Sequence, residues 1–272
     1  MTSALQRVVT AMIAAPLFIW AVFSMPSDYF SYLLLFLVAL GSLEFSKLIK
    51  LRSPYSRITY SVFIITVALF VNSLESVVPF VLSLSLVWWV INLYWVVSYP
   101  NKTSLWFDPF VVRVLSGLML LIPMWISLSY LHRVYGPEWF LLLMLIVWAA
   151  DSGAYFTGKS IGKHKLSPNV SPGKTIEGLL GGVVFSIAAL ILFVTLSEEG
   201  QKIDTPEYVG YFILVIIIGL VSVLGDLYES LFKRVSNIKD SGKFFPGHGG
   251  ILDRVDSLTA ASPFFLVGLN LL

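Results

Sequence analysis

The run Phe212-Ile213-Leu214-Val215-Ile216-Ile217-Ile218-Gly219-Leu220 decides the fold class. Eight large apolar side chains and one glycine stand without a charge, inside an apolar stretch reaching from about 209 to 232. A helix that crosses a bilayer needs roughly 20 mostly apolar residues, at about 1.5 Å of rise each over a hydrocarbon core of about 30 Å. Tyr32-Leu33-Leu34-Leu35-Phe36-Leu37-Val38-Ala39-Leu40 repeats the pattern. The whole chain agrees. Of its 272 residues 57% are apolar, 15% aromatic and only 12% charged, against about 25% charged in a soluble domain, and the mean hydropathy is +0.85. Disordered, collagen-like and coiled-coil readings fall. The absence of cysteine excludes a disulfide framework, a thiolate zinc site and a cysteine nucleophile.

About nine spanning stretches follow: 8–25, 29–49, 58–72, 77–97, 110–130, 139–157, 176–197, 209–232 and 255–272. The third is the weakest, short and polar at its edges. The first begins behind Arg7 like a signal peptide, but its apolar run is too long and Ala14-Ala15-Pro16 lies inside it, which favours an uncleaved span. Short loops rich in Lys and Arg stay in the cytoplasm. With the N-terminus inside, sixteen of the eighteen basic residues fall on the inner face, and only Arg133 and Lys202 lie outside. The expected architecture is therefore an all-α polytopic bundle, residues 1–272 forming one membrane-embedded domain, with the N-terminus cytoplasmic and the C-terminus outside. The longest interruptions, about 158–175 and 233–254, are too short for a separate core.

Ionisable residues within spans are costly, and each is a functional candidate by default. Most crowd the second half. Asp151, Glu177, Asp226, Glu229, Asp253 and Asp256 all fall near cytoplasmic helix ends and describe a polar site at the inner membrane surface. Helical spacing puts Asp226, Glu229, Ser230 and Lys233 on one face. Glu229 is expected to pair with Lys233 at i,i+4. Asp226 has no basic residue at i−3 or i−4, only Ser222 and Ser230, so a functional role is favoured for it. Asp253 and Asp256 share a face and repel unless a cation joins them. Hard oxygen ligands that leave room for water and phosphate suit Mg²⁺; carboxylates at a helix start, favoured by its dipole, are the structural alternative.

The loop from Lys239 to Gly250 combines Lys239 and Lys243 with four glycines, chemistry suited to a polyphosphate, although a flexible positive-inside loop would look similar. His248 between glycines does not decide. Gly173-Lys174-Thr175 suggests a P-loop, but Pro168 stands where the pattern needs glycine, and no strand precedes it in an all-helical chain. Ser171-Pro172 reads as a helix cap and first turn, with Lys174 and Thr175 near the helix start. Gly178, Gly181 and Gly182 would allow close helix packing.

The stretch Ser230-x-Phe232-Lys233-Arg234-x4-Lys239-Asp240-x-Gly242-x2-Phe245-Pro246-x-His248-Gly249-Gly250-Ile251-x-Asp253-Arg254-Val255-Asp256 resembles the signature of the phosphatidate cytidylyltransferases, also called CDP-diacylglycerol synthases. Asp151-Ser152-Gly153-Ala154-Tyr155-Phe156-x-Gly158 and Ser171-Pro172-x-Lys174-Thr175-x-Glu177-Gly178 also look like segments of that family. Residues 1–140 resemble it only in length and hydrophobicity and are assigned no role beyond scaffold and lipid contact. The resemblance implies conversion of CTP and phosphatidate to CDP-diacylglycerol and pyrophosphate by a Mg²⁺-dependent homodimer, with room for a second, monovalent cation. The setting is a bacterial-type inner membrane with the site facing the cytoplasm, and no nucleic-acid partner is expected. On the family's pattern Asp226 and Asp253, with Asp256 in support, hold the metal. Asp226, Asp253, Lys239 and Asp240 form the catalytic set. Lys239, Lys243, Arg254 and the amides of Gly249 and Gly250 are candidates for the triphosphate, Lys233 and Arg234 for the lipid phosphate. Lys174, Thr175, Ser230 and His248 complete the binding set. Two rivals are weaker. A CDP-alcohol transferase would carry aspartates repeating every four residues, and a transporter of anionic solutes would place its charge at the midplane.

Overall fold

The computed structural model describes residues 3–242 and 249–272, with side chains from Met12 onward. The chain runs α1 (Ser3–Ser24), α2 (Ser27–Leu48), α3 (Pro54–Ser73), α4 (Val78–Ser98), a short α5 (Thr103–Phe107), α6 (Phe110–Tyr130) and α7 (Pro137–Ile161). A hairpin of β1 (Lys165–Ser167) and β2 (Ser171–Thr175) precedes α8 (Ile176–Leu196), a short α9 (Glu198–Gln201), α10 (Tyr208–Ser236) and α11 (Leu252–Leu269). Each apolar stretch read from the sequence coincides with one long helix. The segment read as weakest is a regular helix of 20 residues, started by Pro54 in its first turn. Seven helices among the described residues are long and apolar enough to cross a membrane. The helix α11 falls outside that group, carrying Asp253, Arg254 and Asp256 in its first five residues.

Two expectations need correcting. Residues 163–175 are not plain loop in an all-helical chain. They form an antiparallel hairpin in which Lys165 pairs with Thr175 and Ser167 with Ser171. Nor does Ser171-Pro172 start a helix, because both lie in β2; Thr175 caps α8, its side chain accepting from the Gly178 amide at 3.1 Å. Strand β2 delivers the chain directly into the helix, so the cap falls four residues later than the Ser-Pro pair suggests.

Without a hydrophobic force between helices in lipid, small residues at the contacts let backbones approach. The α7–α8 seam is built this way. A Cβ at Gly182 would lie 2.7 Å from the Ala150 carbonyl, and one at Gly178 2.8 Å from that of Ala154. Large apolar side chains such as Phe63, Phe70, Val90, Val97 and Val184 remain exposed on the outside, as a lipid-facing surface requires. Aromatic rings fill the interior between α4, α5 and α10, where Trp95 stacks on Trp106 at 5.3 Å and Tyr228 meets Phe232 edge-on at 5.0 Å. At the opposite end, the buried His132 places Nε2 2.7 Å from the Val22 carbonyl and ties α1 to the end of α6.

Candidate active site

The helix α10 has 29 residues, about 43 Å at ~1.5 Å per residue, so its last turns outrun a hydrocarbon core of about 30 Å. Those turns carry Asp226, Glu229, Ser230 and Lys233 on one face. Opposite them starts α11. The approach is set by Gly225, where a Cβ would collide with the Asp256 carbonyl; a side chain here would push α11 away and separate Asp226 from Asp256. Asp151 on α7 and Asp226 on α10 each sit ten residues before their helix ends, which puts both about 15 Å below the end of the bundle.

Lys174, at the end of β2, reaches into this cleft, its Nζ 2.7 Å from Asp226 Oδ2. Ser230 Oγ donates to Asp226 Oδ1 at 3.2 Å. Asp256 lies within electrostatic reach of Asp226, Asp151 and Lys233. A second knot adjoins the first. Lys233 Nζ stands 2.7 Å from Glu229 Oε2 and 2.9 Å from Asp253 Oδ1, so the i,i+4 pair expected for Glu229 is present and gains a third member from α11. Asp253 Oδ2 accepts from the Gly250 amide at 2.8 Å, the Ser241 amide at 3.1 Å and Ser241 Oγ at 2.9 Å. Glu229 Oε1 is buried without a hydrogen-bond partner among the described residues, and the charges of Asp256 and Asp253 bear on it.

Among the described residues, Asp226, Glu229 and Asp253 pair with two lysines, with Asp151 and Asp256 nearby. This gathering of carboxylates and the Glu229 oxygen left without a described partner fit a hard cation with open positions. Among the described residues no three His, Asp or Glu side chains already converge on a common point, so any ion drawn in would be completed by substrate or water oxygens.

The model of the family described as "Cytidylyltransferase family" matches residues 5–272. The chain belongs to the cytidylyltransferase family. Named relatives include the phosphatidate cytidylyltransferase of Haemophilus influenzae, 37% identical over 96% of both chains. That of Pseudomonas aeruginosa is 36% identical over 96% of this chain and 94% of its own. The Bacillus subtilis protein of the same name is 42% identical over 50% of this chain and 49% of its own.

The candidate residues divide by position. Asp226, Asp253, Asp256, Lys174, Ser230 and Lys233 come together, with Asp151 beside them. Thr175 is occupied as the cap of α8. Arg234 turns away, its Nε donating to the Val170 carbonyl at 2.9 Å and clasping the hairpin tip to α10. Lys239 and Asp240 are exposed on the turn after α10 and form no ion pair with a described residue. Gly249 has a positive φ of 85°, and Gly250 offers its amide to Asp253. Lys243 and His248 lie outside the described residues. Arg254 is on another face of α11, where with Ile251, Val255 and Leu258 it lines an apolar cavity of about 510 Å³ between α1, α2, α6 and α7.

One residue that the sequence reading passed over belongs here as well. Glu44, in the last turns of α2, is buried, and its Oε2 accepts from the Leu252 amide at 2.9 Å and lies 3.3 Å from Ser241 Oγ. A carboxylate in an apolar helix was the available signal.

Proposed function

We propose that this protein transfers CMP from CTP to phosphatidate, forming CDP-diacylglycerol and pyrophosphate for phospholipid synthesis. The observation that carries the reading is the cluster of Asp151, Lys174, Asp226, Glu229, Lys233, Asp253 and Asp256 where α7, β2, α10 and α11 meet, in a chain that matches its family over nearly all its length. A phosphate oxygen of phosphatidate attacks the α-phosphorus of CTP in line; a new P–O bond forms, the bond to the β-phosphate oxygen breaks, and pyrophosphate leaves with that electron pair. The attacking phosphate is already ionised, so no general base is required. What the protein supplies is position and charge neutralisation.

Asp226 and Asp256, with Asp253 and the orphaned Glu229 oxygen beside them, would hold Mg²⁺. A divalent ion bound there supplies Lewis-acid polarisation of the α-phosphate and screens the repulsion between two anionic substrates. Lys174 and Lys233 can exchange a carboxylate partner for a phosphate oxygen when substrate enters. Lys239, Asp240 and the amide of Gly249 are the candidates for the nucleotide on the loop side, together with Lys243 and His248, which lie outside the described residues. The site opens to the cytoplasm of a bacterial inner membrane, with nine spans, the N-terminus inside and the C-terminus outside. The protein works as a homodimer, a reading supported by the family resemblance of residues 230–256.

Detergent-purified protein incubated with CTP, phosphatidate and Mg²⁺ tests this. Lipid-linked CMP and pyrophosphate should form in equal amounts, stop on chelation and resume when Mg²⁺ is restored. Activity indifferent to chelation would remove the metal from the scheme, and no product at all would remove the reaction.

A further inference from the structure

Glu44 lies far from the candidate site in sequence, yet among the described residues its hydrogen-bond partners are Ser241 and Leu252, at the two ends of the segment that leads into α11. Burying a carboxylate in an apolar bundle costs several kcal/mol unless it is hydrogen-bonded. Glu44 is 6% exposed, and its donors are specific. The first is the Leu252 amide at 2.9 Å, one of the N–H groups at a helix start that have no partner within their own helix. The second is Ser241 Oγ at 3.3 Å. The same hydroxyl stands 2.9 Å from Asp253 Oδ2. It carries a single hydrogen and donates to one of the two carboxylates at a time, while its own amide, 3.1 Å from Asp253 Oδ2, holds the aspartate in either case. Gly242 and Gly250 press against the Glu44 carboxylate so closely that a Cβ on either would collide with it. Neither position needs positive φ, so the glycines are there for the approach.

Both ends of the segment that brings Ser241 and Gly250 to Asp253 are therefore referenced to one side chain on α2. We propose that Glu44 is a positioning residue of the active site, holding Ser241 and the first turn of α11 so that Asp253 keeps the orientation in which it serves the nucleotide. This inference rests on the cytidylyl-transfer reading and gives the N-terminal half a part in it.

Full-length wild type, Glu44→Gln, Glu44→Ala and Ser241→Ala, purified in detergent, test it by steady-state kinetics in each substrate and by trypsin cleavage within residues 239–243. Glu44→Ala should raise the KM for CTP by about tenfold or more, the loss expected for a hydrogen bond to a charged group, with the KM for phosphatidate within about twofold. Glu44→Gln keeps an oxygen acceptor for the Leu252 amide and should stay within about threefold of wild type. Cleavage within 239–243 should quicken several-fold in Glu44→Ala while cleavage at Lys202 is unchanged. If Glu44→Ala does not fold, Ser241→Ala decides, with a smaller rise confined to CTP. A CTP requirement and loop cleavage unaltered in Glu44→Ala would overturn the proposal, as would equal impairment in both substrates with cleavage raised everywhere. A wild-type protein that transfers no CMP would instead defeat the reaction reading, leaving the cleavage comparison to decide Glu44.

Discussion

Asp226 shows how the site separates function from stability. Its pair with Lys174 is 30% exposed on the acid and 23% on the lysine, and solvent at that level screens an ion pair to about 1 kcal/mol or less. Asp226→Asn should therefore leave the melting temperature within a few degrees of wild type and lower turnover at least about 100-fold, the scale of losing one electrostatic contact to the transition state; turnover and thermal unfolding measured on the same preparation check both halves. Lys174→Ala belongs to the same cleft and should weaken CTP use more than it weakens folding. A full substrate titration that matched wild type would leave Lys174 a structural partner of Asp226 only. Asp226 was legible in the sequence because it interrupts an apolar run with no nearby base. Glu44 interrupts one too, but Lys47 at i+3 offers an ordinary helical partner in sequence, and only the folded chain places Ser241 and Leu252 against it instead.

Among the elements, the helices were readable because lipid-facing length and apolarity leave few alternatives, and the structure begins and ends most of them within a turn of the expected points. The hairpin β1–β2 was not, since nothing local selects it. Its tip is held from outside, by Arg234 Nε on Val170 and by Asn169 Nδ2 on the Tyr99 carbonyl at 3.2 Å. Removing the cap in Thr175→Ala should cost α8 about 1 kcal/mol, seen as a small fall in the unfolding midpoint. A larger effect is expected at the helix seam: Gly182→Val forces side-chain atoms onto the Ala150 carbonyl, and overpacking of this kind costs about 1–3 kcal/mol. An unfolding midpoint that did not move in Gly182→Val would show that α7 and α8 have room the structure does not contain.

At the scale of the molecule, the charges divide into an end that carries the carboxylate–lysine cluster and an end with Arg133, Lys202 and the acidic residues 198–207. The absence of native cysteine makes sidedness directly measurable. A cysteine replacing Asn169 at the hairpin should react with an impermeant reagent only from the cytoplasmic side, and one replacing Gln201 only from the other. Labelling of both from one side would contradict the proposed orientation. The central claim concerns the atom transferred, and CTP labelled at either end of its triphosphate tests it. With phosphatidate and Mg²⁺, label from the α-phosphate should enter the lipid phase and label from the γ-phosphate should appear only in released pyrophosphate, with neither transfer in Asp226→Asn. Entry of γ-label into lipid, or undiminished α-transfer by Asp226→Asn, would contradict the account.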